Sequence, residues 1–178
     1  MIRMKTTTAL AIAAALAASA APVLAAAPAP SKAVSAGFYS GRWYEIARIA
    51  NAGQRDCQAP TTQFVSGSAG AFQVTQICRS GSPAGKAKTF NTKGRVLPST
   101  SNAKFEMNFL GGIKKQEYWV LDCAGDGSWA IMATPGGNYV WLLSRKAVMS
   151  EASKASAVAR IRALGYAQKL EFPAQPPA

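Results

Sequence analysis

Gly41-Arg42-Trp43-Tyr44-Glu45-Ile46-Ala47-Arg48-Ile49 and Tyr139-Val140-Trp141-Leu142-Leu143-Ser144-Arg145 are the two stretches on which the reading of this chain turns. Both are dense in aromatic and branched apolar residues and read as strands. Between them lie only short strand-like runs broken by Gly, Asn, Asp and Ser, which is how a single up-and-down antiparallel barrel is written in a sequence. The predicted strands are 42–49, 61–66, 72–79, 89–97, 104–110, 117–122, 129–133 and 139–144. After the last of them Ser150 can cap a helix with Glu151 in its first turn, Ala155, Val158, Ile161 and Leu164 follow helical spacing, and Gly165 ends it. Residues 169–172 read as a final short strand. The expected fold is all-β: an eight-stranded antiparallel up-and-down barrel with the C-terminal helix packed outside.

Gly41-x-Trp43-Tyr44-Glu45 in the first strand, Ser144-Arg145 at the end of the last, and a helix beyond them resemble the lipocalins. The resemblance is to the bacterial lipocalin and apolipoprotein D branch and covers residues 38–173. It implies that Trp43 fills the closed end of the barrel and that the Arg145 guanidinium lies over its indole face, a stack that suits Arg better than Lys. It also sets the register. With Trp43 inward, strict alternation puts Glu45 and Ala47 on the same side, and the other strands then place Gln76, Thr92 and Leu143 inside. The ligand-binding wall implied by the resemblance is Glu45, Phe64, Val74, Phe105, Met107, Phe109, Tyr118, Val120, Tyr139 and Trp141. An eight-stranded barrel has room for one small ligand; the same side chains could instead simply fill it as core.

The length of 178 residues fits one domain. Arg3 and Lys5 precede an apolar stretch at 9–21 and then Val23-Leu24-Ala25, so residues 1–25 read as a signal peptide with cleavage expected after Ala25. That stretch is too short for an ordinary membrane span. Residues 26–37 are an Ala/Pro-rich segment expected to be a flexible leader, 38–173 hold the barrel and helix, and 174–178 are a tail. No Cys precedes Cys57, so the lipid anchor that many bacterial lipocalins carry on a Cys after the signal is not expected, and the protein should be exported to the periplasm or secreted. A hairpin centred on Gly67-Ser68-Ala69-Gly70 brings position 57 opposite about 79. In an oxidising compartment this predicts a Cys57–Cys78 disulfide and leaves Cys123 as a half-buried thiol.

The formal charge is +12, and +10 without Arg3 and Lys5, since no acid lies in the first 25 residues. The loops expected around the barrel mouth and their flanks carry Arg48, Arg55, Arg79, Lys86, Lys88, Lys114 and Lys115 against Asp56, while Asp122 and Asp126 fall at the other end. Of these, Arg79, Lys86, Lys88, Lys114 and Lys115 are the expected rim. Such a rim would steer anionic amphiphiles to the pocket or make peripheral contact with an anionic membrane surface; scattered solubilising lysines are the plainer alternative. No run of basic residues with interleaved aromatics suggests nucleic acid.

The chain contains no His, which removes His-based triads, imidazole metal sites and His-ligated haem together. No phosphate-binding glycine loop or nucleophile elbow is present, and neither metal nor cofactor is expected. Glu45 is the only acid expected inside, held by a donor such as Tyr118. The function implied is that of an exported lipocalin, not an enzyme, which holds a fatty acid, lysophospholipid or similar amphiphile for transport, storage or scavenging. A lipocalin-fold enzyme acting on a lipid or isoprenoid-like ligand is the alternative, and a filled barrel that docks a partner is a third reading.

Overall fold

The computed structural model describes residues 26–176. Its eight strands are β1 (Gly41–Arg48), β2 (Cys57–Ser66), β3 (Ala71–Ser80), β4 (Ala87–Val96), β5 (Lys104–Phe109), β6 (Lys114–Cys123), β7 (Trp129–Ala133) and β8 (Val140–Ser144). Each is antiparallel to the next, and β8 returns to β1 to close the barrel. Several strands run further than their local propensity suggests. Lys114, Lys115 and Gln116 have little intrinsic strand preference, yet they pair with Phe109, Asn108 and Met107, because the ladder of the closed barrel overrides propensity.

Three bulges break the ladders of the barrel, one of them in β2 between Gln58 and Thr61; the other two change which side chains face inward. In β1 the register against β8 shifts between Glu45 and Ala47, so that Glu45 faces Leu143, Ala47 faces Leu142 and Arg48 faces Trp141. Cross-strand partners share a face. Ala47, expected inside, therefore turns out toward the helix, and Arg48, expected among the charges flanking the mouth, turns into the barrel. The second bulge lies in β6 between Val120 and Asp122, leaving Leu121 and Asp122 both outward and Cys123 against the inner core.

The helix α1 (Glu151–Ala163) starts at Ser150, whose hydroxyl accepts from the Ser153 N–H at 3.2 Å. It ends in a Schellman motif: the N–H of Gly165 (φ +98°) bonds the Arg162 carbonyl and that of Tyr166 bonds the Ile161 carbonyl. Its buried face is Ala157 and Ile161, flanked by Val158 and Leu164, while Ala155 of the expected stripe is exposed. This face meets Ile46, Ala47, Leu121, Ile131, Val140 and Leu142 in a second core outside the barrel wall.

Both flanking segments are more tightly tied than their composition suggests. The part of the expected flexible leader from residue 26 onward lies along the barrel: Ala27 and Val34 are buried, the Ala27 N–H bonds Pro135, the Val34 N–H bonds Ser101, and Lys32 pairs with Asp122. The C-terminal segment covers the seam where β1 and β2 part. β1 pairs with β2 only from Gly41 to Tyr44; beyond that Glu171 bridges Arg48, Ala174 exchanges bonds with Ala59 and the Gln58 side chain, and the Gln175 amide donates to the Glu45 carbonyl. The expected signal peptide, residues 1–25, lies outside the described residues, as do 177–178 at the end of the tail.

Candidate functional site: a cavity with a sealed floor and an open mouth

The floor of the barrel is aromatic. A short 3₁₀ turn, Ala36–Tyr39, carries Phe38 and Tyr39 under the barrel, where they pack on Trp43, Phe64, Phe72 and Phe105 with ring centroids 5.1 to 6.2 Å apart. Trp43 is 1% exposed, and its indole N–H donates to the Phe38 carbonyl at 2.9 Å. The Arg145 guanidinium lies 3.7 Å from the Trp43 ring centroid and donates to the carbonyls of Gly37, Ser40 and Arg42, tying the turn, the first strand and the last strand together. Gly94 permits this packing on the β4 side, because a Cβ there would come within 2.5 Å of the Phe72 ring and of the Glu106 carbonyl oxygen. The Tyr39 hydroxyl donates to the Asn102 carbonyl, and burial pushes it well above the ordinary tyrosine range.

Above the floor a cavity of about 840 Å³ opens at the other end of the barrel. Of the wall residues named from the sequence, Glu45, Phe64, Phe105, Met107, Phe109, Tyr118, Tyr139 and Trp141 line it. Val74 and Val120 do not: they face inward but are consumed in the packed core around the floor, at 1% and 2% exposure. The lining is graded. Phe64, Phe105, Met107 and Leu143 lie in the same inner core as the floor, whereas Asn51, Gln54, Asn91, Gln116, Thr134 and Lys114 supply polar groups to the wall. Burial pushes the Tyr118 hydroxyl up to about 12.

The main polar feature of the wall is a buried network that the strand pattern does not announce. Glu45 accepts from Arg48 Nη1 at 2.8 Å and from Gln54 Nε2 at 2.9 and 3.1 Å. Tyr118, the donor expected from the sequence, is not among the hydrogen-bond partners of Glu45. Arg48, 2% exposed, spends its remaining donors on Glu171 and on the carbonyls of Gln54 and Cys57. Gln54 in turn accepts from the Trp141 indole at 3.1 Å. It hangs from a 3₁₀ turn, Ala52–Gln54, whose N-cap is Asn51 in a capping box, so the β1–β2 loop folds inward over the mouth. Burial pulls the Glu45 carboxyl above the ordinary glutamate range, against the opposing pull of Arg48 and Gln54. The signal for Gln54 was present in the sequence as Asn51-x-x-Gln54; the signal for Arg48 was not, because a bulge moved it.

Cys57 and Cys78 form the expected disulfide, Cα atoms 5.3 Å apart, joining β2 to β3 near the mouth. Cys57 pairs across the strands with Ser80, one residue from the expected register. Cys123 is a half-buried free thiol, raised by burial and then by the neighbouring Asp122. The rim residues divide. Lys114 lines the cavity, Lys88 stands opposite Cys78, and Lys86 is exposed, but Arg79 donates to the Gly85 carbonyl and Lys115 pairs with Glu106 at 3.2 Å. Asp122 does not make the closed end acidic, since Lys32 and Arg160 neutralise it and Arg42 and Arg145 lie at that end. Among the described residues no group of three or more Cys, Asp or Glu side chains could hold a metal ion.

A barrel sealed at one end by an Arg-capped Trp and hollow at the other has the shape of a cup. The profile of the lipocalin-like domain matches residues 34–175, and the chain belongs to the lipocalin family. Among solved structures it is similar to insecticyanin from the tobacco hornworm Manduca sexta (18% identity, 84% of each chain covered, TM-score 0.64). It is also similar to lobster apocrustacyanin A1 (13% identity, 80% of each chain, TM-score 0.61). A third is the siderocalin Ex-FABP (16% identity, 79% of this chain and 97% of that one, TM-score 0.56), described as functioning through dual ligand specificities. At these identities the likeness shows the fold. No curated protein matches the sequence.

Proposed function

We propose that this protein is an exported carrier that holds one small hydrophobic or amphiphilic molecule, such as a fatty acid or lysophospholipid, inside its barrel. The observation that carries this reading is the cavity of about 840 Å³ above a sealed aromatic floor. Its size is in the range of small-molecule sites. The grading of the wall supports a tail-first pose: an apolar chain lies down toward Phe64 and Phe105, and a polar head stays among Gln54, Asn51, Gln116 and Lys114. The buried Glu45–Arg48 pair adds no net charge, so it neither repels nor recruits an ionised head, and Lys114 is the cation such a head would meet.

Delipidated, folded protein titrated with a long-chain fatty acid and with a lysophospholipid should show quenching of tryptophan fluorescence at one ligand per barrel. Met107→Ala should weaken binding by about 25 cal/mol for each Å² of apolar wall removed. Trp141→Ala should weaken it further, because it also frees Gln54. Failure of every hydrophobic ligand to bind would overturn the reading, and turnover of a ligand recovered with the native protein would move it to the lipocalin-fold enzymes.

A further inference from the structure

The turn that joins β5 to β6 spends backbone energy to hold apolar side chains in water. Leu110 is 75% and Ile113 89% exposed, more than any other large apolar side chain among the described residues. Leu110 sits at φ +52°, in the left-handed region that disfavours residues with a Cβ, and Gly111 and Gly112 follow at φ +69° and +100°. No intramolecular burial offsets that cost. Leu110 also lines the cavity mouth, together with Phe90 of β4, which is 54% exposed.

Basic side chains surround this apolar tip. Lys114 and Lys115 follow Ile113 directly, and Lys86 and Lys88 lie on the β3–β4 hairpin at the same end of the barrel. The acids nearby are Glu106, already paired with Lys115; Glu117, opposite Glu106 on β6; and Asp56, whose main-chain carbonyl accepts from the Gly81 N–H on the neighbouring strand end. We propose that this rim docks the barrel mouth-first onto an anionic bilayer, with Leu110 and Ile113 inserted at the boundary of headgroups and acyl chains and the lysines on lipid phosphates. A second copy of the chain fits the tip less well: the same lysines would meet their own kind. The inference rests on exposure and charge at the rim and stands whether or not the cavity holds a ligand.

Sedimentation of the mature protein with vesicles tests it. Binding should be strong to phosphatidylcholine vesicles containing phosphatidylglycerol, weak to phosphatidylcholine alone, and reduced by salt. Ile113→Ser, a change at a solvent-exposed position, should keep the melting temperature and the solution affinity for a fatty acid, yet lower vesicle partitioning about tenfold. Lys86→Gln and Lys88→Gln should each lower it about fivefold, on anionic vesicles only. Equal binding to both vesicle types, no binding to either, or an Ile113→Ser protein that partitions like the wild type would overturn the proposal. So would a dimer in solution that Ile113→Ser dissolves while vesicle binding is absent.

Discussion

The two ends of this barrel solve opposite problems with the same residue type. At the closed end Arg145 lies on Trp43 and donates to three main-chain carbonyls, so the guanidinium serves as a strut between the first and last strands. Toward the open end Arg48 is more deeply buried, but it spends its donors on a carboxylate, a second carboxylate and two main-chain carbonyls, holding a polar patch in place beside the cavity. One arginine is fastened to an apolar plug and the other to a charge. The first therefore contributes packing, and the second offsets the burial of Glu45. This difference predicts that the floor fails by losing volume and the wall network fails by losing a partner.

The largest effect should come from the floor. Trp43→Ala removes a buried aromatic around which Phe38 packs, and should lower stability by about 3 to 5 kcal/mol. Arg145→Lys keeps the charge but loses the planar stack and the fork of donors, so its cost should be smaller though measurable. Chemical denaturation of both variants checks this. A Trp43→Ala protein with an unchanged unfolding curve would remove the plug from the account.

Arg48→Met tests the other arginine. It leaves Glu45 buried without its cation and should cost roughly 3 kcal/mol or more at neutral pH, while the double variant with Glu45→Gln should recover much of that loss. Glu45 alone has a definite sign. Its carboxyl titrates higher in the fold than in the unfolded chain, so the native state holds the proton more tightly; the contribution of Glu45 is greatest below the unfolded value, about 4.3, and is lost as pH rises through the folded value. The stability of the wild type relative to Glu45→Gln should therefore fall across that window. A difference that rises with pH would mean that Arg48 outweighs burial at this site.

The Cys57–Cys78 link belongs to the mouth, where β1 and β2 no longer pair and the C-terminal segment fills the seam. Replacing both with Ala should cost about 3 kcal/mol by the loop-entropy estimate for a span of 21 residues. If the floor is the independent stronghold that its packing suggests, the variant should lose protection from hydrogen exchange in β2 and β3 near the mouth before Trp43 and its neighbours are exposed.

What the sequence announced and what it concealed follow the same division. The stack of Arg145 on Trp43 was implied by the lipocalin resemblance, whereas strand order, 129–133 as β7 and the disulfide were legible from the strand pattern and the turn residues of the β2–β3 hairpin. Eight of the ten wall residues that the resemblance implied lie on the cavity. Ala47 was misplaced, and the burial of Arg48 went unseen, because one extra residue in β1 reverses the face of everything beyond it, and no composition marks that bulge. Val74 and Val120 face inward as alternation requires; their depth is decided by Phe38 and Tyr39, which rise from a turn before the first strand and occupy the floor. The flanking segments were hidden for a different reason: Lys32, Ala174 and Gln175 make isolated contacts with no periodic pattern behind them.

Lys32 supplies the smallest and last test, since it ties the segment before the barrel to the wall near the floor. Burial works against the charge of Asp122, but hydrogen bonds from Lys32, Arg160 and the Cys123 N–H together hold the carboxyl below the ordinary aspartate range. Its contribution is then present above the unfolded value, about 3.9, and is lost as pH falls through the lower folded value. Both cations are half-exposed, which screens the pairs and limits each to about 0.2 to 1 kcal/mol. Lys32→Ala should lower the melting temperature slightly at neutral pH and not in strong acid, while making residues 26–35 more open to proteolysis than the barrel. If the segment stays protected in Lys32→Ala, the Val34 and Ala27 contacts hold it without the ion pair, and the strap is apolar like the floor it leads to.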